Sequence, residues 1–367
     1  MDASGAPLVL LAAGGTGGHL FPAEALADAL HKRDVTIDLA TDHRAAHFKF
    51  PARAVHVVPS ATVRGRDPLS LMRTATLLAV GTAKAWSLVR RIRPGVVVGF
   101  GGYPTIPPVL AAVLRRVPTV IHEQNGVLGR ANRFLAPAVR AIATSFAGLF
   151  DDRPRLAAKA TATGNPVRPA VVEAAATPYP DADGPFSILV FGGSQGARVM
   201  ADIVPAAIAL LEGGLRARLH IVQQAREEDL ARVRAAYASL SVAADVAPFF
   251  ADLPARIAAS HLVVARSGAS TVAELAVIGR PSILVPLPHA IDQDQFANAG
   301  VLERAGGAVR LVQDTFTTER LATEIAALAG APERLRTMAA AARSLGRLDA
   351  AARLADLVLD VATIAGP

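Results

Sequence analysis

Short apolar runs recur along this chain. Each is closed by glycine or polar residues and followed by a segment whose apolar positions return at helical spacing. In the first half the runs are 8–13, 35–40, 54–58, 96–103 and 119–125, and in the second half 186–191, 219–222, 262–265 and 281–286. The pattern predicts strands there. It predicts helices over 21–30, with Pro22 in the first turn, over about 69–91, about 199–211 and about 349–363. Strands alternating with helices predict an α/β fold with parallel sheets and right-handed crossovers.

The order breaks near Gly164-Asn165-Pro166-Val167-Arg168-Pro169, and residues 174–185, rich in Ala, Pro, Asp and Gly, read as a linker or surface loop. A strand, a glycine turn and a helix then repeat the opening design. Gly192-Gly193-Ser194-Gln195-Gly196 stands 178 residues after Gly14-Gly15-Thr16-Gly17-Gly18. Two copies of one design predict two similar domains facing across a cleft, residues 1–163 and 164–346, with the last helix, about 347–367, returning to the first. At 367 residues both can carry a core, and 52% hydrophobic against 5% aromatic content makes that core mainly Ala, Val and Leu. Cysteine is absent, which excludes disulfides, thiolate metal sites and cysteine redox chemistry. No run nears the roughly 18 residues that span a bilayer, and the first residues lack the basic stretch of a secretory signal, so a cytoplasmic protein is expected.

Candidate chemistry gathers where predicted strands end. Three such ends, Gly14 to His19, Gly99 to Tyr103 and His122 to Asn125, carry small or polar groups, and ligands of open α/β sheets bind outside those ends. Glycines at a strand-to-helix turn let a ligand approach the backbone, and a helix start favours negative charge. A histidine at such a positive end, His19, is expected to stay neutral and able to accept a proton. Asp38 or Asp42 lies where a dinucleotide fold keeps its ribose acid, but the glycine spacing does not fit G-x-G-x-x-G. Thr271-Val272-Ala273-Glu274 fits a helix capping box, which competes with a ligand contact for Glu274. Charge is uneven. Residues 1–160 carry 20 Lys and Arg against 10 Asp and Glu, and residues 161–367 carry 18 against 21. A first half this basic predicts an anionic partner. Residues 64–93, basic and apolar with Trp86, are read either as an ordinary packed helix or as one resting on anionic lipid.

Taken together, these motifs resemble the MurG family of glycosyltransferases. The matching stretches are GGTGGH at 14–19, GFGGYPTIP at 99–107, HEQN at 122–125, GNPVR at 164–168, GGSQGA at 192–197, RSGASTVAEL at 266–275 and DQDQFAN at 292–298. They stand in family order over nearly the whole chain. The resemblance implies a GT-B fold of two Rossmann-like domains, the first facing acceptor and membrane and the second holding UDP-N-acetylglucosamine. It implies inverting transfer of N-acetylglucosamine to the C4 hydroxyl of undecaprenyl-diphosphate-N-acetylmuramoyl-pentapeptide (lipid I), giving the β1→4-linked lipid II of peptidoglycan synthesis. Glu274 would bind the ribose, Ser194 and Arg168 the diphosphate, the backbone at Phe250 uracil, and Asn125 and Gln295 the sugar, with Thr16, Gly17 and Gly18 also at the nucleotide sugar. His19 is the candidate base and Glu123 the next choice. Tyr103 and Arg133 resemble acceptor-side residues, with Arg115, Arg116 and Arg130 near the acceptor diphosphate. No cofactor and no metal are implied, because Asp292-Gln293-Asp294 falls within the sugar-binding loop. Asp294 departs from the family, which often has His or Gln there. The implied location is peripheral, on the cytoplasmic face of the cell inner membrane, docked through 64–93. Cell-wall and division proteins are candidate partners, and nucleic acid is not expected.

Two other readings share this fold. One is a UDP-sugar 2-epimerase, needing acids and bases around C2 and no lipid. The other is a non-catalytic nucleotide-sugar binding protein.

Overall fold

The structure is a computed structural model that describes residues 7–15, 17–44, 47–60, 67–181, 184–193, 196–288, 290 and 292–363. The chain divides into two compact units, Met1–Arg168 with Arg347–Pro367, and Pro169–Gly346.

The first unit holds seven parallel strands: β1 (Val9–Ala12), β2 (Ile37–Thr41), β3 (Ala54–Val57), β4 (Val96–Gly99), β5 (Thr119–Glu123), β6 (Ala141–Thr144) and β7 (Ala160–Ala162), in the order β3-β2-β1-β4-β5-β6-β7. β1 pairs on both sides, Val9 opposite Ile37 of β2 and opposite Val96 of β4. A strand buried on both faces needs apolar residues at every position, which explains the continuous runs. Val9 and Leu11 enter the core under α1 (Gly17–His31) and the last helix (Ala350–Thr363). Leu10 enters the opposite core, with side chains of α2 (Pro68–Ile92), α3 (Ile106–Leu114) and α4 (Arg130–Leu135).

The second unit holds six parallel strands: β8 (Phe186–Phe191), β9 (Leu219–Gln224), β10 (Ala243–Ala247), β11 (Leu262–Ala265), β12 (Ser282–Leu284) and β13 (Ala308–Arg310), in the order β10-β9-β8-β11-β12-β13. Ile188 and Val190 of β8 face a core with Val204 and Ile208 of the helix Arg198–Ala209. In both sheets the winding reverses beside the first strand, between β1 and β4 and between β8 and β11. The crevice outside that switch point is where such sheets bind ligands.

Three expectations are corrected. α1 begins at Gly17, so Pro22 is its sixth residue and not in its first turn. A helix starting there makes Gly17, Gly18 and His19 its opening turn, with amide groups that need no partner further back. The run at 96–103 is strand only to Gly99, and Tyr103 opens a short 3-10 turn, Tyr103–Thr105. Gly268, not Thr271, caps the helix Ala269–Ile278, which already includes Thr271 as its third residue.

Candidate active site

In the first unit, three strand ends meet. Thr105 donates its hydroxyl to the carbonyl of Ala12 (3.2 Å) and to that of Gly101 (2.6 Å), joining the ends of β1 and β4. Gln124 donates to the Phe100 carbonyl at 2.9 Å, joining β5 to them. The His19 imidazole lies on the Gly101-Gly102 turn. A Cβ added to Gly101 would be 3.4 Å from its Cδ2, and one added to Gly102 would be 3.5 Å from its Cε1. Both glycines have positive φ, +81° and +72°, where a side chain would be strained. The ring is held near a pKa of about 4 because burial disfavours its charged form. Desolvation thus favours the neutral form of His19, at the first turn of α1.

Glu123, at the end of β5, is fully buried. One oxygen accepts from the Asn125 backbone N–H (3.1 Å) and side-chain amide (3.0 Å). The other accepts from the Gly129 N–H (3.0 Å) and the Asn132 amide (2.8 Å). Burial raises its pKa, and these four bonds pull against that rise. Four donors occupy both oxygens, so this carboxylate fixes the loop 125–129 and the start of α4. Arg168 is half-buried with its guanidinium 4.5 Å from the Phe21 ring centre of α1. It therefore packs beside the first glycine turn. Tyr103 lines a groove of about 660 Å3 together with Leu78, Trp86, Ile106, Leu110 and Phe134. Arg133, exposed, donates to the Leu128 carbonyl at 2.9 Å.

Asp38 is no ribose acid. It is wholly buried and accepts from Arg53 at 2.9 Å (two bonds) and from His56 at 2.8 Å. Burial alone would raise its pKa, but those partners bring it below the ordinary value. Asp42 accepts from Arg44 at 2.6 Å.

In the second unit, the turn after β8 leads into the helix Arg198–Ala209. Its Gly192 N–H donates to Gln224 Oε1 at 3.2 Å, and Gln224 in turn donates to the Pro248 carbonyl at 3.1 Å. Glu274 is buried within the helix Ala269–Ile278, which starts just beyond β11. Gln295 sits in the first turn of the helix Asp294–Ala305. Its side chain accepts from the Leu287 N–H at 3.0 Å, and its carbonyl accepts from Ser267 Oγ at 2.8 Å. Asn298 donates to the Ser267 carbonyl at 3.1 Å, so the loops after β11 and β12 are stitched to this helix. Phe250 is buried, with the Arg256 guanidinium 4.2 Å from its ring centre, while its neighbour Phe249 is 70% exposed at the end of β10. Sequence reasoning passed over Phe249 and Gln224; two adjacent phenylalanines and two adjacent glutamines give no sign of which one turns inward. Thr16 and Ser194 lie outside the described residues. Among the described residues no three His, Asp or Glu side chains come together as a metal ion would require.

Two parallel-sheet units, each with a glycine turn at its switch point, form the fold that two-domain glycosyltransferases share with UDP-sugar epimerases. Comparison with known proteins agrees. The family model described as Glycosyltransferase family 28 N-terminal domain matches residues 9–144, and its C-terminal counterpart matches 187–354. A Rhodopseudomonas palustris (strain HaA2) protein is 62% identical over 98% of this chain and 100% of its own length. It is named UDP-N-acetylglucosamine–N-acetylmuramyl-(pentapeptide) pyrophosphoryl-undecaprenol N-acetylglucosamine transferase. The crystal structure of Acinetobacter baumannii MurG matches with a TM-score of 0.79 at 28% identity, covering 96% of this chain and 99% of that one. A UDP-GlcNAc 2-epimerase from Neisseria meningitidis matches at 14% identity with a TM-score of 0.66, covering 96% and 99%, which is a likeness of fold alone. The chain belongs to glycosyltransferase family 28, among its MurG transferases.

Proposed function

We propose that this protein transfers N-acetylglucosamine from UDP-N-acetylglucosamine to the C4 hydroxyl of lipid I, with inversion, to give lipid II. The reading is carried by near-full-length identity to a transferase of that name, and the epimerase likeness does not extend beyond the fold. In the proposed chemistry the acceptor C4 oxygen attacks the anomeric carbon. The bond from that carbon to the β-phosphate oxygen breaks, its electron pair leaves with UDP, and the hydroxyl proton passes to His19. A neutral imidazole set at the junction of β1 and β4 is suited to this task. Glu123, its oxygens already taken, is proposed to hold Asn125 for the sugar and not to act as the base. Glu274 would bind the ribose, Gln295 the sugar and the backbone near Phe250 the uracil. Arg168, Ser194 and the first turn (Thr16, Gly17, Gly18) would neutralise and orient the phosphates, since the leaving group's developing charge is the main electrostatic task. Residues 1–163 would then face the acceptor and residues 164–346 the nucleotide sugar.

Among the described residues no helix is long and apolar enough to cross a membrane. The groove lined by Leu78, Trp86, Leu110 and Phe134 is proposed to rest on the cytoplasmic face of the inner membrane, with Tyr103, Arg130 and Arg133 beside it toward the acceptor diphosphate. Cell-wall and division proteins would be met there.

Radiolabelled UDP-N-acetylglucosamine incubated with lipid I tests the activity: label should enter the lipid phase, and a free epimer or binding without turnover would remove the reading. His19→Ala should cut turnover by about 10²–10⁴-fold while UDP binding stays near wild type. With a base of pKa about 4, kcat/KM should stay level as pH falls toward about 5. An acid limb centred near 6.5 would exclude a desolvated His19 imidazole as the group that titrates.

A further inference from the structure

We infer that Arg226 contacts the phosphates of the nucleotide sugar, an assignment that rests on the transferase reading. The turn between β8 and the 12-residue helix Arg198–Ala209 is a place where phosphate is favoured. Its described backbone is partly committed, however. The Gly192 N–H goes to Gln224 Oε1 at 3.2 Å and the Gly196 N–H to the Gly193 carbonyl at 3.0 Å. Two of its described donors are spent inside the protein, which favours a side-chain cation at this turn in addition to the proposed Arg168.

Arg226, just beyond β9, is placed to supply it. A Cβ on Gly196 would lie 3.0 Å from Arg226 Cγ and 3.7 Å from its Nε, so the arginine stem lies along this turn. Gly196 has φ +65°, and its lack of a side chain leaves that face to the arginine. The guanidinium is lightly held. Its ion pair with Glu228 is 3.8 Å long, with the two side chains 41% and 65% exposed, a geometry that contributes little. It can turn to a phosphate at small cost, and a guanidinium matches phosphate oxygens in two parallel hydrogen bonds. Gln224, two residues earlier, anchors both Gly192 and the Pro248 carbonyl and so keeps the end of β9 against the turn.

Calorimetric titration of wild type, Arg226→Ala and Arg226→Lys with UDP and with uridine tests this. Arg226→Ala should weaken UDP binding about tenfold and leave uridine within about twofold, because the missing contact is to phosphate. Arg226→Lys should recover part of the loss, keeping charge without the paired geometry. The KM for UDP-N-acetylglucosamine should rise with that for lipid I unchanged. Equal losses for UDP and uridine, or none, would overturn the assignment to Arg226 and leave the transferase reading standing. A wild-type protein that binds no UDP would remove that reading and this inference together.

Discussion

His122 donates its Nε2–H to the Gly164 carbonyl, 3.0 Å away, and its Nδ1 has no hydrogen-bond partner among the described residues. It packs against Phe100, 5.7 Å between ring centres, in a fully buried place that pushes its pKa down to about 4. The folded chain therefore takes up this proton only near pH 4, whereas the unfolded chain binds it near 6.5. Between those values the unfolded state holds more protons, so the stabilisation present above pH 6.5 is lost as pH falls to about 4. One such histidine is worth about 3 kcal/mol across the window. Glu123 works the other way, because its raised folded pKa favours folding as pH drops toward 4.5. Comparing variants cancels that contribution. His122→Gln, which keeps an amide donor for Gly164, should flatten the decline in urea-measured stability between pH 6.5 and 4 relative to wild type. An unchanged slope would mean that His122 titrates normally.

At the scale of elements, Arg280 joins two helix ends. Its buried guanidinium donates to the Ala258 carbonyl at 3.0 and 2.6 Å, where the helix Leu253–Ala258 ends, and to those of Ile278 and Gly279 at 2.9 and 3.1 Å, where Ala269–Ile278 ends. It also reaches Thr177 and Pro178 at 3.2 and 2.8 Å. Its described hydrogen bonds all go to carbonyls, whose partial negative charge at helix ends keeps it protonated although burial lowers its pKa to about 10. Arg280→Ala should destabilise the protein by about 3–5 kcal/mol in thermal unfolding, since it leaves carbonyls unpaired and a cavity behind. Arg280→Lys should recover only a fraction, having three donors where the site uses a planar fork. A loss below about 1 kcal/mol for Arg280→Ala would show that water replaces the fork. Nothing in the hydrophobic pattern marks Arg280, because an arginine between a glycine and a proline reads as surface. The same limit hid four strands. β6 (AIAT), β7 (ATA), β10 (AADVA) and β13 (AVR) are short and alanine-rich, and they are strands because neighbouring strands pair with them. The central strands, rich in Val, Leu and Ile, were legible, and so were the glycine turns of the site. Its inner wiring was not. The four hydrogen-bond donors that hold Glu123 come from Asn125, Gly129 and Asn132, and nothing in HEQN announces them.

At the scale of the whole molecule, charge and apolar exposure coincide in the first half of the chain. Residues 1–160 carry 20 basic against 10 acidic side chains, and Met72, Leu77, Val80, Trp86, Leu114 and Phe134 are exposed there on α2, α3 and α4. The Arg115 guanidinium stands 4.9 Å from the Trp86 ring centre, which puts a cation at the apolar edge. The proposed docking thus has two separable parts. Cations near an anionic surface contribute about 1 kcal/mol each and are screened as the Debye length falls from about 10 Å at 0.1 M salt to about 3 Å at 1 M. Apolar side chains entering the headgroup boundary contribute by buried area, and salt does not weaken that. Co-sedimentation with vesicles rich in anionic lipid should therefore fall with salt to a residual level and not to zero. Lys84→Glu with Arg73→Glu, exposed positions on α2, should lower binding in low salt and leave the high-salt residue unchanged. Trp86→Ala with Phe134→Ala should remove that residue, and turnover of detergent-dispersed acceptor should suffer less than turnover of acceptor in vesicles. Binding indifferent to salt in the wild type would exclude the headgroup contribution, and binding indifferent to both aromatic changes would move the docking surface away from this groove.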